Sequence, residues 1–335
     1  MKSAVITGII AMAMAASLVY AGPGTGAIDI LKVPTGIKSQ AMGGAYTALC
    51  DDTDALDINP AGLGLMEGHE ASFIHDLYFE DVFFDSAYYE QALEGMGTVG
   101  GTLKYLSGGK ITATNETSNG MYAGQGSTMG SYDYLAGVAY GTSLDKWTKS
   151  DALKGLDIGM QMKVSGESLG NAYSNTGITA DIGAIYTMTL QDVDFMENRG
   201  EMVWNKVGFG VSFLNLGTSF ENGITPMSAN IGAYSQWKNM LVENNRVRVS
   251  LDTGYGMSYG ADVKIGCEYL QTLTNFKFAI RAGENLDFVD REASGLAVGA
   301  GFSINAGQIS YGLDYAFIPY GDLGNNNKIA LSVQF

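Results

Sequence analysis

The sequence predicts an all-β fold: a transmembrane antiparallel β-barrel of about 14 strands, with an N-terminal hatch, or plug, inside its lumen. Three observations lead there. Beyond residue 67 the chain alternates apolar with polar or small residues over long segments, the period of a strand and not of a helix. Glycine (46 residues) and tyrosine (19) are abundant, as suits sheet and its turns. The last segment, KIALSVQF, keeps the alternation up to an aromatic final residue, Phe335.

The first element is a leader. MKSAVITGIIAMAMAASLVYAGPGTG sets one basic residue, Lys2, before an apolar run from Ala4 to Val19, with a small residue at Ala21. That is the pattern of a secretory signal peptide over residues 1–21, cleaved near Ala21. A retained anchor needs about 20 apolar residues and different flanks. No cysteine follows the cleavage point, which argues against a lipoprotein.

Residues 22–67 are expected to form the hatch. The alternation lapses here, yet Ala41, Met42, Ala45, Tyr46, Leu49, Leu56, Leu63 and Leu65 need burial, and the lumen is the surface available to them. Pro60 fixes its own φ and pushes Asn59 toward an extended conformation. Asn59, Pro60 and Gly62 would then turn the chain from plug to first strand. Gly43, Gly44, Asn59, Pro60, Ala61 and Gly62 are the candidate hatch or gate motif; Met42, Tyr46, Leu49 and Leu63 are the candidate ligand lining. The acidic run DDTDALD (Asp51, Asp52, Asp54, Asp57) lacks the central Gly and closing Glu of a calcium loop. It is expected to cap helices and to be solvated.

Residues 68–335 carry the barrel. Alternating segments fall near 68–78, 82–92, 96–107, 130–142, 155–166, 176–190, 205–216, 225–237, 246–256, 260–270, 275–284, 292–304, 307–318 and 326–335. Most run to roughly 10–13 residues, close to the 9–11 that a tilted strand needs to cross a bilayer. In the last of them Ile329, Leu331, Val333 and Phe335 share one face, and Lys328, Ala330, Ser332 and Gln334 the other. Hydrocarbon offers no partners to backbone N–H and C=O groups, so a spanning sheet must close on itself, with its apolar face to lipid.

A soluble β-sandwich or solenoid, with the apolar face inward, shares this alternation. Three features favour the barrel: the strand lengths, charges on the small face (Lys163, Arg248, Lys277, Arg281), and aromatics near strand ends. Tyr78, Phe79, Phe84, Tyr88, Tyr186, Trp237, Tyr255 and Tyr269 suggest an interfacial girdle. A terminal Phe on such a strand resembles the signal read by β-barrel assembly machinery. With both termini periplasmic, the Gly-, Ser- and Thr-rich stretch 108–129 is the longest outward loop. The inward connections 143–154, 191–204 and 238–245 are long enough to hold short helices.

Several chemistries find no support. His69 and His75 share a face of the first strand but stand about 20 Å apart, so no metal bridges them. The nucleophile-elbow, phosphate-loop and H-E-x-x-H motifs are absent, so neither an enzyme nor a cofactor is expected. The net charge of −16 would repel nucleic acid. Cys50 precedes the first strand and Cys267 looks toward lipid, which keeps their Cα atoms beyond the roughly 7 Å a disulfide needs. The glycines in GFGVSF and GAGFSI lie inside alternating strands and are expected to relieve crowding in the lumen.

SQAMGGAYTALCDDTDALDINPAGLGLM resembles the N-terminal signature of the PorV/PorQ (UPF0164) proteins, a branch of the FadL-like outer-membrane transporter superfamily. GVSFLNLGTSF (210–220) and LDYAFIPYGDLGNNNKIALSVQF (313–335) are similar to that family's mid-barrel Asn-Leu-Gly segment and last hairpin. The resemblance implies a fourteen-stranded barrel closed by a hatch in the bacterial outer membrane, with outer-membrane lipid around it. It also implies transport of long-chain fatty acids or other hydrophobic compounds. The alternatives it leaves open are a type IX secretion role, with secretion-system subunits as partners, and a structural surface protein.

Overall fold

The computed structural model describes residues 28–77, 82–148, 153–170, 173–189, 203–217, 223, 225–258, 260–287, 295–319 and 324–335. Among these, fourteen strands follow one another: β1 (His69–Leu77), β2 (Phe83–Leu93), β3 (Gly97–Glu116), β4 (Tyr122–Ser143), β5 (Leu156–Leu169), β6 (Tyr173–Thr189), β7 (Val203–Gly217), β8 (Ser228–Lys238), β9 (Asn245–Gly256), β10 (Gly260–Thr272), β11 (Phe276–Asp287), β12 (Leu296–Ala306), β13 (Ile309–Pro319) and β14 (Asn325–Gln334). Each pairs antiparallel with its neighbour in sequence, and β14 returns to β1, so the sheet closes into a barrel. Closure leaves no sheet edge, which is the condition for crossing hydrocarbon. The leader with its cleavage point, residues 22–27 of the expected hatch, Tyr78, Phe79 and residues 191–202 lie outside the described residues.

The faces follow the alternation. Ile158, Met160, Met162 and Val164 on β5, and Ile329 and Leu331 on β14, are exposed on the outside, while Lys163, Arg248, Arg281 and Lys328 are buried inside. Exposed Val, Ile, Leu and Met on strand after strand make an exterior suited to lipid, and the barrel is of the outer-membrane kind. Cys267 is exposed and Cys50 buried, and both are free thiols.

Two girdle expectations are overturned. Phe84 and Tyr88 point inward and are almost completely buried, Phe84 packing with Ile28, Ile30 and Leu135. β2 carries aromatics on both faces, Phe83 and Tyr89 on one and Phe84 and Tyr88 on the other, so its sequence does not say which face is the lipid face. The stretch 108–129 is also not a loop. β3 runs to Glu116 and β4 starts at Tyr122, and the two stay paired past Lys110 and Gly130 through shifts of register. Their other neighbours stop earlier, at Ser107 and Ser131, so this hairpin projects beyond the wall. Of the inward connections, the first holds a short 3-10 helix at Leu144–Lys146.

Residues 28–66 lie against the inner face of the wall. Two short helices, α1 (Ile37–Ala41) and α2 (Ala55–Ile58), are joined by turns. α2 stops because Asn59, ahead of Pro60, is extended (φ −160°, ψ 103°). Pro60 then opens a 3-10 helix to Leu65, a position where its missing N–H costs nothing.

Candidate functional site: the seat of the N-terminal segment

The inner wall carries a belt of glycines where the segment touches it. A Cβ on Gly159 of β5 would overlap the Pro60 carbonyl, one on Gly183 of β6 the Asn59 side chain, and one on Gly210 of β7 the backbone of Thr47 and Ala48. Across the lumen, Cβ atoms on Gly266 of β10, Gly283 of β11 and Gly299 of β12 would meet Met42, Gly43 and Ala41. The wall thus presents backbone to backbone, which lets a folded segment fill the lumen without side-chain collisions.

The candidate motif divides between two arcs of this belt. Gly43 (φ 63°) takes a left-handed conformation and a Cβ there would overlap the Glu284 backbone, so both conformation and clearance call for glycine. Gly44 (φ 82°) follows it beside the Lys264 stem. Asn59 is fully buried on the opposite arc. Its Oδ1 accepts the Ala61 N–H (3.1 Å), while Nδ2 donates to the Thr47 carbonyl (2.8 Å) and to the Val211 carbonyl of β7 (3.3 Å). One amide therefore caps a helix, holds another turn of the segment and reaches the wall. Ala61 is buried, and a Cβ on Gly62 would overlap the Cys50 carbonyl.

The acidic run is mostly withdrawn from solvent, although the Asp51 side chain stays 35% exposed, and it caps at a distance, Asp54 serving the first turn of α1. Asp57 Oδ1 pairs with Lys104 of β3 (2.6 Å), and its Oδ2 accepts from the Thr35 N–H (3.1 Å) and Tyr88 OH (2.8 Å). Asp51 forms a two-pronged pair with Arg248 of β9, whose Nε donates to Gln236 (3.0 Å). Asp52 binds Lys38 (2.9 Å) and the Tyr46 hydroxyl (2.8 Å), and Asp54 accepts the Ser39 N–H (2.7 Å). Asp54 precedes α2 but makes no side-chain cap. The partners Lys104 and Arg248 come from distant strands, and no local rule pairs them with these aspartates. A carboxylate removed from water needs such a partner.

These surroundings set the protonation of the segment. Burial alone would raise the Asp51 carboxyl, but Arg248 and then Arg246 bring it down to about 2. Burial acts the same way on Asp57, and Lys104 overrides it, leaving Asp57 below its ordinary value. Asp54 has no such cation in contact; burial first and Asp52 second push it up to about 7.

Reasoning from sequence passed over two inward groups of the wall. Asp252 of β9 accepts the N–H groups of both Tyr46 (2.9 Å) and Thr47 (2.7 Å). Asn215 sits at a bulge of β7, with two residues, Leu214 and Asn215, set against Asp181 of β6. Its φ is +58° and its own N–H donates to Asp181 (2.7 Å). Its Nδ2 reaches the Leu31 (3.1 Å) and Pro226 (3.1 Å) carbonyls, and its Oδ1 accepts from Lys163 (2.6 Å). The signal was present in the Asn-Leu-Gly segment, since asparagine is the residue that tolerates a left-handed backbone.

Two cavities flank the segment. One, of about 110 Å³, lies toward the end where β7 finishes and β8 starts, between Ile30–Pro34, Leu56–Ile58 and the wall. The other, of about 160 Å³, lies toward the end where β1 begins, between Lys38, Asp51, Asp52 and a polar wall that includes Arg246, Lys277, Arg281 and Asp314. The expected lining residues Met42, Tyr46, Leu49 and Leu63 border neither. Met42, Tyr46 and Leu49 pack with Ala48, Cys50, Ala55, Ala61 and Ile185, and Leu63 packs with Ile37 and Leu56. All four are buried, and their size and apolarity seat the segment. At the base of the wall Phe335 stacks on His69 (5.4 Å between rings) and trades both backbone hydrogen bonds with it, each 3.0 Å. Among the described residues no group of three or more His, Cys, Asp or Glu is placed to hold a metal ion.

Residues 6–252 match the model of UPF0164, described as an uncharacterised protein family. The chain belongs to UPF0164. No curated protein matches this UPF0164 chain in sequence. Among solved structures it is similar to the toluene transporter TodX of Pseudomonas putida, with a TM-score of 0.55 at 12% identity over 94% of this chain and 98% of that one. It is also similar to the toluene transporter TbuX of Ralstonia pickettii, with a TM-score of 0.50 at 11% identity over 89% of this chain and 96% of the other. These likenesses establish a shared fold.

Proposed function

We propose that residues 28–66 are a hatch, and that the protein carries hydrophobic or amphipathic small molecules across the bacterial outer membrane, as its fold neighbours are named for doing with toluene. Long-chain fatty acids belong to the range of solutes to be tested. The observation that carries this reading is the position of the segment: it fills the lumen between two cavities and is held by polar contacts that can be exchanged. Ion pairs such as Asp57–Lys104 and hydrogen bonds such as Asn59–Thr47 can break and re-form, unlike a covalent closure. The end bearing Phe335 is then periplasmic. The leader directs export and is removed near Ala21, and insertion uses Phe335 as a signal to the β-barrel assembly machinery.

Reconstituted protein tests the reading. Liposomes carrying the intact chain should take up a radiolabelled aromatic or fatty-acid solute faster than empty liposomes while passing little ionic current. Mass spectrometry of gently purified protein should find a bound solute. Absence of uptake across a panel of apolar solutes, with stable co-purification of secretion-system subunits instead, overturns it.

A further inference from the structure

The cavity beside β7 and β8 has an uneven electrical lining. The chain has only 19 basic residues and a net charge of −16, yet Lys32, Lys104, Lys163 and Lys264 all border this one space, against a single carboxylate, Asp57. The acids that pair with two of these lysines stand behind them: Lys163 binds Asp181 (2.7 Å) and Lys264 binds Asp262 (2.9 Å), and neither aspartate borders the cavity. Lys163 and Lys264 thus border the space while their partner carboxylates do not. An ammonium has three N–H donors, and Lys163 directs two of them to Asp181 and Asn215. Asn230 and Ser228 add neutral polar groups, and Ile30, Leu135 and Leu214 supply an apolar side.

Resting on the transport reading above, we infer that this cavity is a selectivity site for a compact amphipathic carboxylate, about one ring in size, such as an aryl carboxylate. Its volume of about 110 Å³ is below the roughly 150 Å³ of an apolar cavity that holds benzene, so one ring is its upper limit and a long acyl chain does not fit inside it whole. The ring lies against Ile30, Leu135 and Leu214, and the carboxylate accepts from Lys163 and Lys264. A neutral ring of the same size offers nothing to the third N–H of Lys163.

Benzoate and toluene share the ring and differ in the head group, so they separate charge recognition from apolar fit. Calorimetry on the full chain in detergent should show saturable benzoate binding, with toluene at least about ten-fold weaker, the scale of one charge-assisted hydrogen bond. Raising the salt should weaken benzoate and leave toluene unchanged. Lys264→Met should weaken benzoate by about ten-fold or more, and Lys264→Arg should largely restore it; heat-dependent mobility on gels checks that both variants are folded. If Lys264→Met fails to fold, the salt dependence and the benzoate–toluene ratio still decide. Toluene binding as well as or better than benzoate overturns the carboxylate assignment and leaves the transport reading standing. Benzoate binding that is indifferent to salt and to Lys264 also overturns it. Failure of benzoate, toluene and hexadecanoate alike to bind overturns the assignment, and solute uptake by liposomes then judges the transport reading separately.

Discussion

Gly183 of β6 leaves the space that the side chain of Asn59 fills, so that a single added methyl at 183 would overlap the Asn59 oxygen. Gly183→Ala should therefore assemble as a barrel but unseat the 3-10 helix at Pro60–Leu65. The check is ionic conductance of single reconstituted channels, expected to rise in the variant. Gly130, which has open space at its Cβ position, is the control: Gly130→Ala should change nothing.

Asn59→Ala removes a cap and the bonds to Thr47 and Val211 together. Losing such buried partners costs about 1–3 kcal/mol. The barrel should still form, while hydrogen exchange in residues 47–62 speeds up and conductance or solute uptake changes. Failure of the barrel to assemble would instead make the motif a folding element.

The Asp57–Lys104 pair is buried on both sides. Lys104→Met alone leaves a carboxylate stranded and should destabilise the docked segment by about 3–5 kcal/mol. Asp57→Asn with Lys104→Met removes both charges and should recover much of that loss. Exchange protection of residues 35–58, compared in the two variants, measures the difference.

Docking should also depend on pH, through two aspartates of opposite sign. Asp54, raised to about 7, holds its proton more tightly when docked, so its contribution is full below the ordinary value of 3.8 and is lost as pH rises through 7. Asp51, lowered to about 2, contributes fully above 3.8, and its contribution is lost as pH falls through 2. Of these two, only Asp54 changes between pH 6 and about 8.5. Protection of residues 36–58, corrected for intrinsic exchange, should fall over that range, and Asp54→Asn should flatten the profile.

The barrel was legible because lipid outside and a packed lumen inside impose one period on every strand; β5 and β14 show it without exception in their central residues. The expected strand limits fall within a few residues of those observed except at the β3–β4 hairpin, where polar Thr, Gly and Asn read as loop but pair as strand. Contacts inside the lumen were far less legible. Asp51 meets Arg248, 197 residues away, and Asp252 meets Tyr46 across 206. Such pairs are set by where two strands happen to face a folded segment, and nothing in their own neighbourhoods marks them. The glycines of GFGVSF and GAGFSI did carry a signal of crowding, with two sources: Gly210 and Gly299 make room for the segment at Thr47, Ala48 and Ala41, and Gly208 and Gly301 for the wall side chains Tyr234 and Asp314.

Because the wall meets the segment with glycines, it recognises a contour and is indifferent to most of what the segment is made of. Apart from Gly43, Asn59, Gly62 and the residues that touch Asp252, Lys104 or Arg248, the segment is then freer to vary so long as the chain keeps its path, whereas one methyl at Gly159 or Gly283 is enough to block it. Variation across related barrels should accordingly be asymmetric: permissive in the cork, strict in the bottleneck.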